Sequence, residues 1–163
     1  MPRVAVIYHS ETGNTKRMAE LILEGARSID GTEAEMFSVE ELDREYIDSA
    51  DAVLLGSPTY EGSPSWNMKK FLDRPEVNLA GKLGGVFASQ NWPGGGGASF
   101  AEMTLIAAML IRGMLIYSGG ITQGEPYLHF GAVSTRSPEG IYAERCLKLG
   151  QTIATKAKEI FGR

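Results

Sequence analysis

The chain has 163 residues, 43% of them apolar, and a formal net charge of −4; this size and composition predict one domain, residues 1–163, with its own hydrophobic core. The acidic balance argues against nucleic acid and anionic membranes as partners, because both attract basic surfaces. A single cysteine excludes an internal disulfide framework. Without a signal peptide before the first strand or an apolar run of about 18 residues, the sequence predicts a soluble, cytoplasmic protein.

The first apolar run stops at a polar turn, and a helical pattern follows. Residues 4–8 are continuously apolar, which is typical of a strand buried on both faces of a parallel sheet. Residues 10–15, S-E-T-G-N-T, then supply hydroxyl and amide groups, and the apolar spacing from Met18 onward predicts a helix that begins at or just after Gly13. Free N–H groups at the start of a helix bind anions. The segment therefore predicts a phosphate-binding loop, and an ordinary capped turn is the alternative.

Three familiar phosphate-binding motifs do not fit this turn. A Walker loop requires a glycine directly before its lysine, and Lys16 has none. A dinucleotide fingerprint requires three glycines after the strand, whereas this turn has Gly13 alone. A thiol phosphatase requires a cysteine in the loop, and Cys146 lies far away in a helical pattern. What remains is a loop that holds a terminal phosphate through hydroxyls and backbone amides.

The middle of the chain alternates strand and helix patterns. In order, the sequence predicts an edge strand at 33–39, a short acidic helix at 40–49, a central strand at 52–56, a loop at 57–66 and a helix at 67–74.

The last part of the chain continues this alternation, and its loop is rich in glycine. The sequence predicts a strand at 83–88, a loop at 89–98, a helix at 99–112, a strand at 114–117, a connection at 119–126, a segment at 127–133 that extends or pairs with the sheet, and a helix from Ser137 and Pro138 to about Phe161.

Alternating strands and helices predict a parallel sheet with right-handed crossovers and helices on both faces. Ligands of such sheets lie beyond the carboxyl ends of the strands. The unusual loops that begin at Ser10, Ser57 and Ser89 all follow predicted strands. We therefore expect them to form one site.

The loop at residues 10–15 resembles the S/T-x-T-G-x-T phosphate loop of flavodoxins, and the rest of the chain is similar to WrbA-type NAD(P)H:quinone oxidoreductases and their short relatives. The stretches that carry this resemblance occur in the family's order. They are G-S-P-T-Y-E-G at 56–62, N-M-K-K-F-L-D at 67–73, G-K-L-G-G-V-F-A-S at 81–89, G-G-G at 95–97, R-G-M-L-I at 112–116 and Y-L-H-F-G-A-V-S at 127–134.

The resemblance implies a flavodoxin-like five-stranded parallel sheet of order 2-1-3-4-5 that binds FMN without a covalent bond. It further implies an oxidoreductase with NAD(P)H as electron donor, a quinone or similar small molecule as acceptor, and assembly as a homodimer or homotetramer. The chemistry is centred on the flavin, so no catalytic side chain is assigned. His9 and His129 have no ligand-type neighbours at metal spacing, and no metal site is expected.

The cofactor-binding residues are expected in the three loops. Tyr60 and Trp92 would border the flavin ring, the backbone at Glu61 and Gly62 would tune its N5 atom, and residues 89–91 would hold its pyrimidine end. A packing role for Trp92 and a plain flexible connection for the glycine run at 94–97 remain alternatives. The full expected set is Ser10, Glu11, Thr12, Gly13, Asn14, Thr15, Pro58, Thr59, Tyr60, Glu61, Gly62, Ser89, Gln90, Asn91, Trp92, Gly95 and Gly96.

The chain departs from the WrbA-type pattern at three places. Arg112 stands where the family has histidine, Glu61 stands where an aromatic residue is common, and the connection at 117–127 is short. Arg112 fits either a partner for dinucleotide phosphates or a cap for its own helix. A one-electron carrier and an FMN-binding module that acts through a protein partner are the alternative functions.

Overall fold

The computed structural model describes residues 1–162. Within residues 1–162, seven strands and five helices follow one another. They are β1 Arg3–Tyr8, α1 Asn14–Arg27, β2 Glu33–Ser38, α2 Arg44–Ser49, β3 Ala52–Tyr60, β4 Ser63–Pro64, α3 Trp66–Asp73, β5 Leu83–Gln90, α4 Ala98–Ile111, β6 Leu115–Ile116, β7 Ala132–Thr135 and α5 Ile141–Phe161.

The strands form one sheet with five positions across it, in the order β2, β1, β3, β5 and finally β6 with β7. The neighbours at these five positions run parallel. The fifth position is divided, because β6 pairs with Leu83 and Gly84 at one end of β5 and β7 pairs with residues 87–90 at the other. The predicted fold class and the order 2-1-3-4-5 are confirmed.

The helices cover both faces of the sheet because alternate residues of each strand point to opposite sides. Val4 and Val6 of β1 pack in the cluster that includes α1 and α5. Ala5 and Ile7 pack in a second cluster with residues of α2, α3 and α4. The continuously apolar β1 follows from this burial on both faces. Among residues 1–162, no helix has both the length and the apolar composition that a membrane span requires.

The structure corrects several of the predicted boundaries, among them the start of α5, which begins at Ile141 rather than at residues 137–138. Helix α2 begins at Arg44 rather than at residue 40, because the Asp43 side chain accepts a hydrogen bond from Tyr46 N and caps the helix there. Strand β3 continues to Tyr60 through the predicted loop, because a hairpin with β4 supplies partners for its end. In the divided fifth position, β6 has only two residues, and β7 begins at Ala132, later than predicted.

Candidate functional site

The three predicted loops begin at the same edge of the sheet. Strands β1, β3 and β5 are adjacent and parallel, with Tyr8 beside Gly56 and Pro58 beside Ser89. Their carboxyl ends therefore meet, as the sequence predicts.

The loop at residues 10–15 leads into the exposed start of α1. Gly13 precedes the helix with a φ of 99°, and its N–H donates to Ser10 Oγ over 3.1 Å. The first backbone hydrogen bond of the helix runs from Arg17 N to Gly13 O at 2.9 Å. The N–H groups of residues 14–16 precede that bond and stay available for an anion. A Cβ at Gly13 would have no atom within 4 Å, so the space beside this helix start is open.

Side-chain hydrogen bonds join the loops to one another. Thr15 Oγ1 and Ser89 Oγ lie 2.8 Å apart in the interior and link the first loop to the third. The Tyr60 hydroxyl donates to Glu11 Oε2 over 3.1 Å and links the first loop to the second. Partial burial and this hydrogen bond raise the pKa of Tyr60 above its ordinary value, so the phenol is a donor at neutral pH. The three loops therefore form one structural unit.

The second loop is a tight hairpin turn at Glu61 and Gly62. Both residues have positive φ, 50° and 71°, as a two-residue turn between antiparallel strands requires. A Cβ on Gly97 would lie 3.1 Å from Gly62 Cα, so the turn also meets the end of the glycine run. Thr59 Oγ1, one residue before Tyr60, is buried and has no hydrogen-bond partner within residues 1–162.

A cavity of about 490 Å³ lies between the second and third loops. Its lining consists of eight residues, Thr59, Tyr60, Glu61, Gly62, Asn91, Trp92, Gly95 and Gly96. All eight belong to the predicted cofactor-binding set, and we call this cavity the ring slot.

One cation at the rim of the ring slot was missed by the sequence analysis. The Arg136 guanidinium lies 5.8 Å from the centroid of the Trp92 ring, which is 68% exposed. Arg136 follows β7, and its N–H donates to Gln90 O over 2.7 Å. Its φ of 61° is unusual for a residue with a side chain. The signal was absent from the sequence because only the pairing of β7 with β5 brings residue 136 to residue 92.

A buried polar network of His9, Ser57 and Ser65 lies at the carboxyl ends of β1 and β3, next to the site. His9 Nδ1 lies 2.8 Å from Ser65 Oγ, and Ser65 N donates to Ser57 Oγ over 2.9 Å. Ser65 also caps α3 by accepting from Met68 N. His9 Nε2 lies 3.6 Å from Glu40 Oε1. His9 therefore has a structural role, because its contacts join the carboxyl end of β1 to β3 and to the start of α3.

Two of the residues considered in the sequence analysis, Gln90 and Arg112, have contacts away from the ring slot. Gln90 donates to Thr135 Oγ1 and accepts from Ala98 N, so its amide secures the start of α4 rather than facing the ring slot. Arg112 donates to the carbonyl oxygens of residues 72 and 73 at the end of α3. It follows the 14-residue α4, about 20 Å from the helix end that meets the loops. The Arg112 side chain therefore secures the end of α3 instead of capping its own helix α4, and it lies away from the three loops.

The sheet is doubly wound, and the loop after its first strand leads into a helix. Two further loops lie at the same edge of the sheet. These features define a flavodoxin-like α/β protein. The sequence profile described as flavodoxin matches residues 6–104, a range that contains all three loops. The chain belongs to the flavodoxin family.

The relatives of this chain include flavodoxins and NAD(P)H dehydrogenases (quinone). A flavodoxin from Clostridium saccharobutylicum is 35% identical, covering 98% of this chain and 99% of the relative. An NAD(P)H dehydrogenase (quinone) from Archaeoglobus fulgidus is 32% identical, covering 98% of this chain and all of the relative. The solved structure of a WrbA-like flavodoxin from Agrobacterium tumefaciens superposes with a TM-score of 0.78 at 26% identity, covering 98% and 99% of the two chains. The resemblance to WrbA-type proteins is confirmed.

Proposed function

We propose that this protein binds FMN across the three loops and transfers electrons from NAD(P)H to a quinone or a similar small acceptor. The observation that carries the proposal is the ring slot, whose wall residue Tyr60 hydrogen-bonds to Glu11 in the loop that leads into α1. Bound FMN would supply the redox chemistry, since it accepts two electrons from a nicotinamide and passes them on. The chain's own residues bind and orient it.

The phosphate would lie at the start of α1. The proposal assigns the phosphate to the N–H groups of residues 14–16 and to the Thr12 hydroxyl, because the space beside Gly13 at this helix start is open. One such cradle suits a monophosphate, and this favours FMN over FAD.

The flavin ring would occupy the ring slot. Tyr60 and Trp92 border it with aromatic surface, which suits a planar and largely apolar ring. Thr59 Oγ1 is buried without a partner in the described chain, and a polar edge of a bound ring would satisfy it. Backbone groups at residues 61–62 and 89–91 are the further polar contacts that the proposal assigns to the ring.

Replacing Thr12 with aspartate tests the phosphate assignment. A carboxylate at residue 12 would repel the phosphate dianion, so Thr12→Asp should weaken FMN binding at least tenfold in a fluorescence titration. Thr122→Asp is the matched control, because Thr122 is an exposed threonine in a distant connection. Equal FMN affinity in the Thr12 variant and the wild type would contradict the assignment.

The electron donor is proposed from the rim of the ring slot and from the relatives' names. Arg136 places a cation beside Trp92, where the phosphates of NADH or NADPH can pair with it. Several relatives at about 30% identity are named NAD(P)H dehydrogenase (quinone). Both observations support an enzyme that takes electrons from a nicotinamide nucleotide.

Anaerobic mixing tests this reaction. NADH or NADPH should bleach the flavin absorbance within seconds, and added benzoquinone should restore it.

A one-electron carrier is the second candidate, because the Clostridium relative is named flavodoxin and matches nearly the whole chain. A carrier would show no bleaching by either nucleotide and would be reduced by dithionite in two separate one-electron steps. FMN binding with neither behaviour would favour a module that acts through a protein partner.

We further propose a homo-oligomer with helix α4 at its interface. The helix is apolar on both sides. Its outer side exposes Phe100, Met103, Leu110 and Ile111, with Ile111 83% exposed, and Glu102 is its one charged residue and faces inward. A second copy of the same face would bury this apolar surface without burying a charge.

A further inference from the structure

A second and larger cavity lies on the other side of the glycine run from the ring slot. Its volume is about 660 Å³, within the range of small-molecule sites. Its walls consist mainly of the loop at 93–97, the first turns of α4 and the segment at 127–131, and residues of β5, β7 and α5 complete them. It shares Gly95 with the ring slot and is otherwise lined by different residues. We call it the α4 cavity.

Glu102 lines the α4 cavity from within the core. The side chain is 1% exposed, and its Oε1 has no hydrogen-bond partner among residues 1–162. The backbone opposite approaches closely, since a Cβ on Gly131 would lie 2.8 Å from Oε1. An unpaired buried carboxyl group costs folding free energy, and proteins retain such groups mainly where they act on something else.

Glu102 is uncharged at neutral pH. Burial is the cause that raises its pKa, to about 9, and no paired cation opposes the effect. At pH 7 roughly one molecule in a hundred would carry the ionised form. The carboxylic acid therefore offers an O–H donor to the cavity.

The outer walls of the α4 cavity are aromatic. Phe100, Tyr127 and Phe130 all line it, and each exposes a large part of its ring. Arg145 stands beside them and donates from Nε to Tyr127 O over 3.1 Å. Aromatic walls favour a flat ring, and a cation near the opening disfavours a positively charged one.

We propose that the α4 cavity binds an uncharged aromatic compound whose carbonyl oxygen accepts a hydrogen bond from Glu102. A cationic ligand would require ionised Glu102, which is the minor form. An anionic group against Glu102 would be buried with no cation in contact with that carboxyl. A carbonyl oxygen can accept a hydrogen bond from the Glu102 O–H, and this requires neither ionisation of Glu102 nor burial of an unpaired anion.

This site is independent of the proposed reaction. Quinones belong to the proposed class of ligand, but binding in the α4 cavity requires no electron transfer. The test therefore uses a compound that the flavin does not reduce, so that its failure leaves the proposed oxidoreductase function untouched.

The test compares four small probes on the full-length protein, as purified and without an electron donor. Acetophenone is the uncharged carbonyl probe, and ethylbenzene has the same ring without the carbonyl. Benzylammonium and benzoate are the cationic and anionic counterparts. Amide NMR titrations at pH 7 should show saturable shifts around Gly131 and Glu102 with acetophenone. Its affinity should exceed that of each other probe about tenfold, the value of one hydrogen bond.

Variants of Glu102 then test the contact itself. Glu102→Leu removes the donor, suits the apolar surroundings and should fold. Acetophenone should bind it about tenfold more weakly, and no better than ethylbenzene. Glu102→Gln keeps an uncharged donor and should retain the affinity within a few-fold. Ile160→Ala, at an exposed position of α5 outside both the cavity and the proposed interface, is the matched control and should bind as the wild type.

Several results would overturn the proposal. They are the absence of saturable shifts at Gly131, equal binding of ethylbenzene, tighter binding of either charged probe, or undiminished acetophenone affinity in Glu102→Leu.

Discussion

Thr15 and Ser89 share a buried hydrogen bond of 2.8 Å although 74 residues separate them. Thr15 belongs to the first turn of α1, and Ser89 lies near the end of β5. The bond joins the start of α1, where the phosphate is proposed to bind, to the loop that borders the ring slot. The distance between the proposed phosphate and ring positions therefore depends on this pair.

Removing either hydroxyl should leave its partner unsatisfied in the interior. We expect Thr15→Val and Ser89→Ala each to lower the free energy of unfolding by about 1–3 kcal/mol. In the double variant the free energy of unfolding should fall by less than the sum of the two single decreases. Urea denaturation of the FMN-free protein measures this coupling. Strict additivity would show that the two hydroxyls do not support each other.

The packing of α1 against α5 should not tolerate a methyl group at Gly150. A Cβ there would lie 2.0 Å from Ile22 O. Alanine raises helix propensity by about 1 kcal/mol relative to glycine, but overpacking against a backbone oxygen outweighs this gain. We expect Gly150→Ala to be destabilising by about 1–3 kcal/mol in urea denaturation. Gly95→Ala is the control, since a Cβ at Gly95 meets nothing within 4 Å.

Glu102 should make the protein less stable as the pH rises. The folded state keeps the proton up to a pKa of about 9, whereas the unfolded chain releases it near the ordinary value of 4.5. Between these values the folded state binds more protons, so increasing pH favours unfolding by up to about 1.4 kcal/mol per pH unit.

Glu102→Gln isolates this contribution. The stability difference between variant and wild type, from urea denaturation at pH 6, 7 and 8, should grow with pH in favour of the variant. Parallel pH profiles for the two proteins would show that Glu102 is ionised when folded.

Replacing Arg136 with alanine should raise the KM for NADH or NADPH, whereas replacing Arg112 should not. Arg136 lies at the rim of the ring slot, whereas Arg112 secures the end of α3. If phosphates of the nucleotide pair with Arg136, Arg136→Ala should raise the KM for NADH or NADPH about tenfold or more. Arg112→Ala is the matched control and should leave it unchanged. The same KM in the wild type and in Arg136→Ala would remove Arg136 from the donor site.

A charge on the outer side of α4 should dissociate the proposed oligomer. Ile111→Asp would bury a carboxylate in the interface, so light scattering should give the mass of a monomer. Ile121→Asp places the same charge at an exposed isoleucine in the 117–131 connection and should leave the mass unchanged. A wild-type protein that is itself monomeric would contradict the proposal directly.

Local pattern was enough to predict the sheet and its loops. The run at 4–8 is apolar at every position because both faces of β1 are covered, and the helical spacing predicted a helix starting at or just after Gly13, where α1 begins at Asn14. Where a boundary depended on a partner elsewhere, local pattern failed. Residues 57–60 resemble a loop in sequence, but β4 and β5 supply the hydrogen bonds that make them a strand.

The sequence by itself therefore determined the fold class and which loops share an edge, because strand periodicity and chain order are local and topological properties. Only the tertiary structure brought Arg136 over Trp92, directed the Gln90 amide to α4 and separated Arg112 from the loops. It also decided that Glu102 is buried without a partner. The local sequence around a glutamate in an apolar helix does not show whether the side chain is buried or paired, since both depend on which other residues pack against it.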